Sequence, residues 1–111
     1  MNFGNLSPAN TSDAIATSTA RIRCSGGGGG AYPFTPSFSD NNGQNGIGSQ
    51  HRMRNTVNTA EYLPYAITYP VIAVNRNQTT TITITGTVLA VDYQNAWVGG
   101  YTDTVTITIN P

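Results

Sequence analysis

Hydrophobic and polar residues alternate along this chain with a period of two. Near the C-terminus Val105, Ile107 and Ile109 alternate with Thr104, Thr106 and Thr108, placing a Val/Ile row on one face of a half-buried strand and a Thr row on the other. The pattern recurs from Thr79, with Ile82, Ile84, Val88 and Ala90 on one face and Thr81, Thr83, Thr85 and Thr87 on the other. Gly86 falls on the apolar row, a position suited to a bend or bulge. Upstream, Ala20, Ile22 and Cys24 alternate with Thr19, Arg21 and Arg23, so Cys24 is expected to face the core. A fourth strand is predicted over Glu61–Tyr69, with Leu63, Tyr65, Ile67 and Tyr69 on one side. Pro64 within it predicts an edge position or an interrupted ladder.

No stretch of a dozen residues carries helical spacing, and β-branched and aromatic residues fill the periodic segments. The domain is therefore expected to be all-β, a sandwich with a barrel as the alternative. Ser25–Gly30, which contains five consecutive glycines, and Asp40–Ser49, rich in Asn, Gly and Gln, read as flexible loops at the sheet ends. The glycine run lacks the strand-to-helix context and the lysine of a phosphate cradle.

The length of 111 residues fits one domain spanning residues 1–111. Five arginines, no lysine and five carboxylates give a formal net charge of zero, which argues against nucleic-acid binding and against a polybasic membrane surface. Solubility rests instead on Thr, Asn, Ser, Gln and 12 glycines, a surface that tolerates close self-association. No apolar run approaches the roughly 20 residues of a membrane span, so membrane insertion is not expected. The start at Met1–Asn5 lacks the layout of a secretory signal, which leaves a cytoplasmic protein or a mature or trimmed chain. Cys24 is the one cysteine; it is either a buried thiol or paired with a cysteine outside these residues.

Candidate chemistry is sparse. His51 stands between Gln50 and Arg52, near Arg54, where two cations disfavour its protonation, so a structural or exposed role is expected. Cys24 and His51 are one conceivable nucleophile and base, but a thiol on a core-facing row is inert. Asp13, Asp40, Glu61, Asp92 and Asp103 are scattered without paired spacing, and no metal-ligand cluster is legible. No catalysis and no cofactor are expected. The aromatics belong mainly to core and cross-strand packing. Trp97, in the polar stretch Asn95–Gly100, is the candidate for an exposed contact.

Three segments resemble the spore coat protein U domain family, which includes subunits of archaic, Csu-type chaperone-usher pili. Asn2-Phe3-Gly4-Asn5 followed by Thr19-Ala20-Arg21-Ile22-Arg23-Cys24 is similar to the family's early Phe-Gly motif and its Val-Thr-Cys strand. Arg52-Met53-Arg54-Asn55 followed by Tyr62-Leu63-Pro64-Tyr65 resembles its Arg-Met segment and Leu-Pro-Tyr strand. Gly100-Tyr101-Thr102-Asp103-Thr104-Val105 resembles its terminal strand. The resemblance implies an incomplete immunoglobulin-like sandwich, completed by a donor strand from another segment or subunit. Met1 begins almost on the Phe-Gly motif, so the donor extension and first strand are expected outside this chain.

The resemblance further implies a structural subunit of a bacterial surface fibre, serving adhesion or biofilm formation. Its partners would be like subunits, with a periplasmic chaperone and an outer-membrane usher during assembly. A pilus-tip adhesin or carbohydrate-binding sandwich, or a spore or cyst coat protein, are the alternatives. The C-terminal strand, Tyr101 to Ile109, is then expected to border the acceptor groove, with Tyr101 on it and Val105, Ile107 and Ile109 pointing inward. Cys24 is expected to pair with a cysteine outside the chain if the protein is exported.

Overall fold

A computed structural model describes Phe3, Leu6, Ala9, and residues 11–25 and 33–110. Among these, nine strands and one short helix run in the order β1 (Ala14–Arg23), β2 (Pro33–Phe34), β3 (Ser37–Asp40), β4 (His51–Asn55), β5 (Tyr62–Thr68), β6 (Val74–Asn75), β7 (Thr79–Val88), α1 (Ala90–Tyr93), β8 (Tyr101–Thr102) and β9 (Ile107–Asn110). A five-stranded sheet has the order β1-β7-β5-β4-β8, while β2 pairs with β6 and β3 with β9. Every one of these pairings is antiparallel. The fold is all-β, as the period of two requires. All five glycines of the Ser25–Gly30 loop, and the Asn2-Phe3-Gly4-Asn5 motif apart from Phe3, lie outside the described residues.

The long β1–β7 ladder supports the sheet. Its register runs from Ala14 opposite Val88 to Arg23 opposite Thr79. On β7, Ile82, Ile84, Gly86 and Val88 are buried, and Thr79, Thr81 and Thr83 are exposed. The pairing passes unbroken through Gly86, which lies opposite Ala16 on one side and Ile67 on the other. The expected bulge at Gly86 is absent; the residue instead keeps the inner face shallow where it meets Ala16. Strand β1 begins at Ala14, five residues before the predicted start at Thr19. Its added half, Ala14-Ile15-Ala16-Thr17-Ser18, carries inward-facing residues too small to give a hydrophobic signal.

Burial of Met53, Leu63, Tyr65, Val88 and Tyr93 forms the main core cluster. Ala90, expected on the β7 row, lies instead in α1. The strand stops at Val88, the Asp13 side chain accepts the Ala90 N–H at 2.9 Å, and the turn that follows buries Tyr93.

Pro64 sits in a central strand with an interrupted ladder. Asn55 donates its N–H to the Glu61 carbonyl at 2.9 Å, and alternation along β4–β5 then makes the Arg52–Pro64 pair one without hydrogen bonds. The Pro64 nitrogen therefore faces β7, whose pairing with β5 spans only Ala66–Thr68. No ladder bond is lost there.

The predicted Tyr101–Ile109 strand is not continuous. Strand β8 pairs with β4, β9 pairs with β3, and residues 103–106 cross between them. The inside/outside alternation survives the break: Val105, Ile107 and Ile109 are half-buried, and Thr104, Thr106 and Thr108 are exposed.

Candidate functional site

Between the five-stranded sheet and the C-terminal crossing lies an open groove of about 490 Å³. Its sheet side is built from Ser18 of β1, Ile84 of β7, Ile67 of β5 and Met53 of β4, and its opposite side from Tyr101, Val105 and Ile107. Phe3 and Leu6 also line it, with the Phe3 ring edge-on to Tyr65 at 6.2 Å. Ser18 belongs to the small inner row of β1, Ala14, Ala16, Ser18 and Ala20, and a larger side chain there would fill part of the groove. Of the four residues expected along the groove, Tyr101, Val105 and Ile107 line it. Ile109 continues the half-buried row but is not among the lining residues; it lies opposite Phe38.

The crossing is pinned at Asp103. Its Oδ1 accepts the backbone N–H groups of Gln44 and Asn45 at 3.0 and 3.1 Å and the Asn45 side-chain amide at 3.1 Å. Its Oδ2 accepts the Tyr65 hydroxyl at 2.7 Å. Two carbonyls beyond it are also held, with Gln44 N–H bonded to Thr104 O at 2.9 Å and Asn41 N–H to Thr106 O at 3.2 Å. The 41–45 segment, expected as a flexible loop, is thus an ordered clamp. Side-chain turns shape it: Asn42 N–H donates to Asp40 Oδ1 at 2.8 Å and Gly43 N–H to Asn41 Oδ1 at 3.0 Å. Asn42 and Gly43 take left-handed φ values of 61° and 77°, which suit these two residue types. A Cβ on Gly43 would lie 2.0 Å from Asp103 Oδ2, so only glycine allows the close approach.

A second cluster ties the β3–β9 pair to the main sheet. Asp40, the last residue of β3, meets His51 Nε2 at 2.8 Å and accepts a short hydrogen bond from the Tyr69 hydroxyl. Phe38 stacks on Tyr69 with ring centroids 5.3 Å apart. Burial alone would raise the Asp40 pKa, but the hydrogen bonds from Tyr69, the Asn42 amide and His51 outweigh it, and the carboxyl lies below its ordinary value of 3.8. Burial, reinforced by the bond to Asp103, pushes the Tyr65 phenol far upward, and burial with the bond to Asp40 does the same for Tyr69. Both tyrosines therefore remain neutral donors.

His51, expected to be influenced by its two flanking cations, instead faces a carboxylate. Arg52 turns away, donating Nε–H to Asn45 O at 3.0 Å and lying 4.1 Å over the Tyr62 ring. Sequence spacing could not bring Asp40 and Asp103 to this wall, because neither motif nor period encodes which strands meet.

Cys24 lies one residue past β1 and is a free thiol, half-buried in step with Ala20 and Ile22. Its carbonyl accepts the Asn77 N–H at 2.8 Å. Trp97 is 59% exposed, beside Val98 at 75%. This loop touches the β4–β5 turn, where Thr56 N–H donates to Gly100 O at 2.9 Å, and the turn carries Val57 at 86% exposure. Three exposed apolar residues thus share one region of the surface. Among the described residues no cluster of three or more His, Cys, Asp or Glu side chains is placed to hold a metal ion, and no helix is long and apolar enough to cross a membrane.

No protein-family model matches the chain, and a comparison with curated proteins finds no match either.

Proposed function

We propose that this chain is a structural subunit of a bacterial surface fibre, with an incomplete immunoglobulin-like sandwich whose groove receives an extended strand from a neighbouring subunit. The observation that carries this reading is the open groove, whose mixed lining includes Ile67, Ile84, Val105 and Ile107, bordered by two strands that have a single partner among the described residues. Among the described residues β1 pairs only with β7, and β9 only with β3. A sheet edge of this kind is a template for strand addition. An incoming strand would have unpaired backbone groups on either side and apolar contacts with Ile84, Val105 and Ile107 beneath it. Strand β9 contains neither a charged residue nor Pro and offers no barrier to such pairing, and the arginines of β1, Arg21 and Arg23, are confined to its last three residues.

The resemblance to the spore coat protein U domain family supports the same reading and carries its corollaries: export through the periplasm, a chaperone and usher as assembly partners, a surface location, and no catalytic role. The exposed Trp97, Val98 and Val57 favour a second reading, a tip subunit or binding module that contacts its target there.

The test compares two substitutions in the full-length protein, with fibre assembly read by electron microscopy and folding by circular dichroism. Ile107→Asp places a carboxylate in the groove, where burying it costs several kcal/mol, and is expected to block assembly while the chain remains folded. Thr106→Asp, on the exposed side of the same segment, is expected to assemble. The reverse result, or a strictly monomeric protein at high concentration, overturns the reading.

A further inference from the structure

The wall of the groove that carries Ile107 is a two-stranded ribbon, β3–β9, and ribbons of two strands have little stability of their own. Its register sets Asp40 directly opposite Ile107. The same Asp40 spans to the main sheet, through Oδ1 to His51 at the start of β4 and through Oδ2 to Tyr69 just beyond β5. Both polar ties from β3 itself to the main sheet thus run through one carboxylate, whose side chain is only 8% exposed, while the adjoining ties of Asn45 to Arg52 and Asp103 to Tyr65 lie outside the ribbon.

From this geometry we infer that Asp40 is an acid-labile latch on the groove: its protonation frees the β3–β9 wall from β4 and β5 and opens the groove at Ile107. A protonated carboxyl keeps one acceptor oxygen but presents a hydroxyl that competes with one of its present donors, His51, Tyr69 and the Asn42 amide. It also loses its charge-assisted attraction to them.

The groups facing Asp40 are His51 from β4 and Tyr65 and Tyr69 from β5 and its end. Asp103 stands behind Tyr65, while Arg52 is turned toward Tyr62 and Asn45. Both tyrosines stay neutral across the acid range, so among the carboxylates at this wall Asp40 and Asp103 are the two to distinguish. The sign follows from linkage. A carboxyl whose folded pKa lies below its ordinary value stabilises the latched state above the ordinary Asp range, and that stabilisation is lost as pH falls through and below it. Release of a bound strand on acidification rests on the strand-exchange reading; the opening of the wall does not.

Amide hydrogen exchange on the subunit alone tests the latch. Protection factors are compared at about pH 6 and about pH 3, where linkage places the change, for Ile107–Asn110 of β9 against β1 and β7. In the wild type, β9 protection is expected to fall roughly tenfold or more relative to β7, which is local opening. The fall should share its midpoint with the Asp40 carboxyl titration followed by carbon-13 NMR. Asp40→Asn should abolish the pH dependence, and Asp103→Asn should retain it.

The latch is overturned if β9 keeps its protection in acid, if β1 and β7 lose theirs in step, if the midpoint follows Asp103, or if Asp40→Asn shows the same fall. Should Asp40→Asn not fold, the wild-type comparison of midpoints decides alone. Fibre assembly in the Ile107→Asp and Thr106→Asp pair is scored separately: failure there with β9 opening intact removes the strand-exchange reading and leaves the latch standing.

Discussion

Removing the Asp103 carboxylate by Asp103→Ala tests whether the C-terminal crossing is held by one side chain. Four bonds are lost, but only the Asn45 N–H and the Tyr65 hydroxyl lose their one acceptor; the Gln44 N–H keeps its bond to Thr104 O at 2.9 Å and the Asn45 amide its longer one to Thr102 O at 3.4 Å. They are not equivalent. Tyr65 is 6% exposed, so losing the acceptor of its hydroxyl costs about 1–3 kcal/mol. The Gln44 and Asn45 groups lie nearer solvent, and water compensates most of their loss, leaving about 0.5 kcal/mol each. The expected destabilisation is about 2–4 kcal/mol, a large share of the roughly 5–15 kcal/mol typical of a domain. At roughly 4 °C per kcal/mol for a chain of this length, the melting midpoint falls by about 8–16 °C.

Urea denaturation followed by circular dichroism measures the loss, and Tyr65→Phe with the double variant completes a cycle. A coupling of about 1 kcal/mol or more between Asp103 and Tyr65 is expected, since the two are in direct contact. If Asp103→Ala stays within about 0.5 kcal/mol of wild type, the range of an ordinary surface substitution, the crossing is held by its backbone bonds to residues 41–44, and the pin assigned to Asp103 is wrong.

Two left-handed glycines, Gly43 in the clamp and Gly48 just beyond it, should separate backbone strain from contact. Gly43→Ala combines a left-handed φ with a Cβ 2.0 Å from the Asp103 carboxylate, whereas Gly48, at φ 59°, has open space around its Cβ. Gly48→Ala should cost about 1 kcal/mol and Gly43→Ala about 2–3 kcal/mol in the same urea assay; equal costs would deny the close approach. Asn55, 1% exposed, accepts the Val57 and Asn58 N–H groups at 2.9 Å each. Asn55→Ala strands both donors and should destabilise by about 2–4 kcal/mol, while Asn55→Asp, which keeps the acceptor, should recover part of that in thermal melts near neutral pH.

Local alternation determined much of this protein before any contact was known. Ile82, Ile84 and Val88 point inward on β7, Leu63 and Tyr65 inward on β5, and Val105 and Ile107 inward at the C-terminus, because successive side chains of an extended chain must face opposite ways. That rule needs no partner strand, so it holds even through residues 103–106, where the ladder is broken. The first half of β1 was illegible for the same reason: Ala14, Ala16 and Ser18 bury too little apolar surface to mark a face, although Ser18 lines the groove.

Tertiary structure alone decided which segments meet. Asp40 and His51 are 11 residues apart, and Asp103 lies 58 residues from Asn45. No period links such positions, because hydrogen bonds between distant segments depend on where the backbone crosses itself. The split of the last strand has that origin. Asp103 interrupts a run of residues each suited to a strand, since four donors converging on one carboxylate outweigh the continuation of a ladder. The all-β alternation is therefore a property of the residues one by one, whereas the groove, its pin and its latch arise only when β3, β4, β5 and the C-terminal crossing are brought to the same wall.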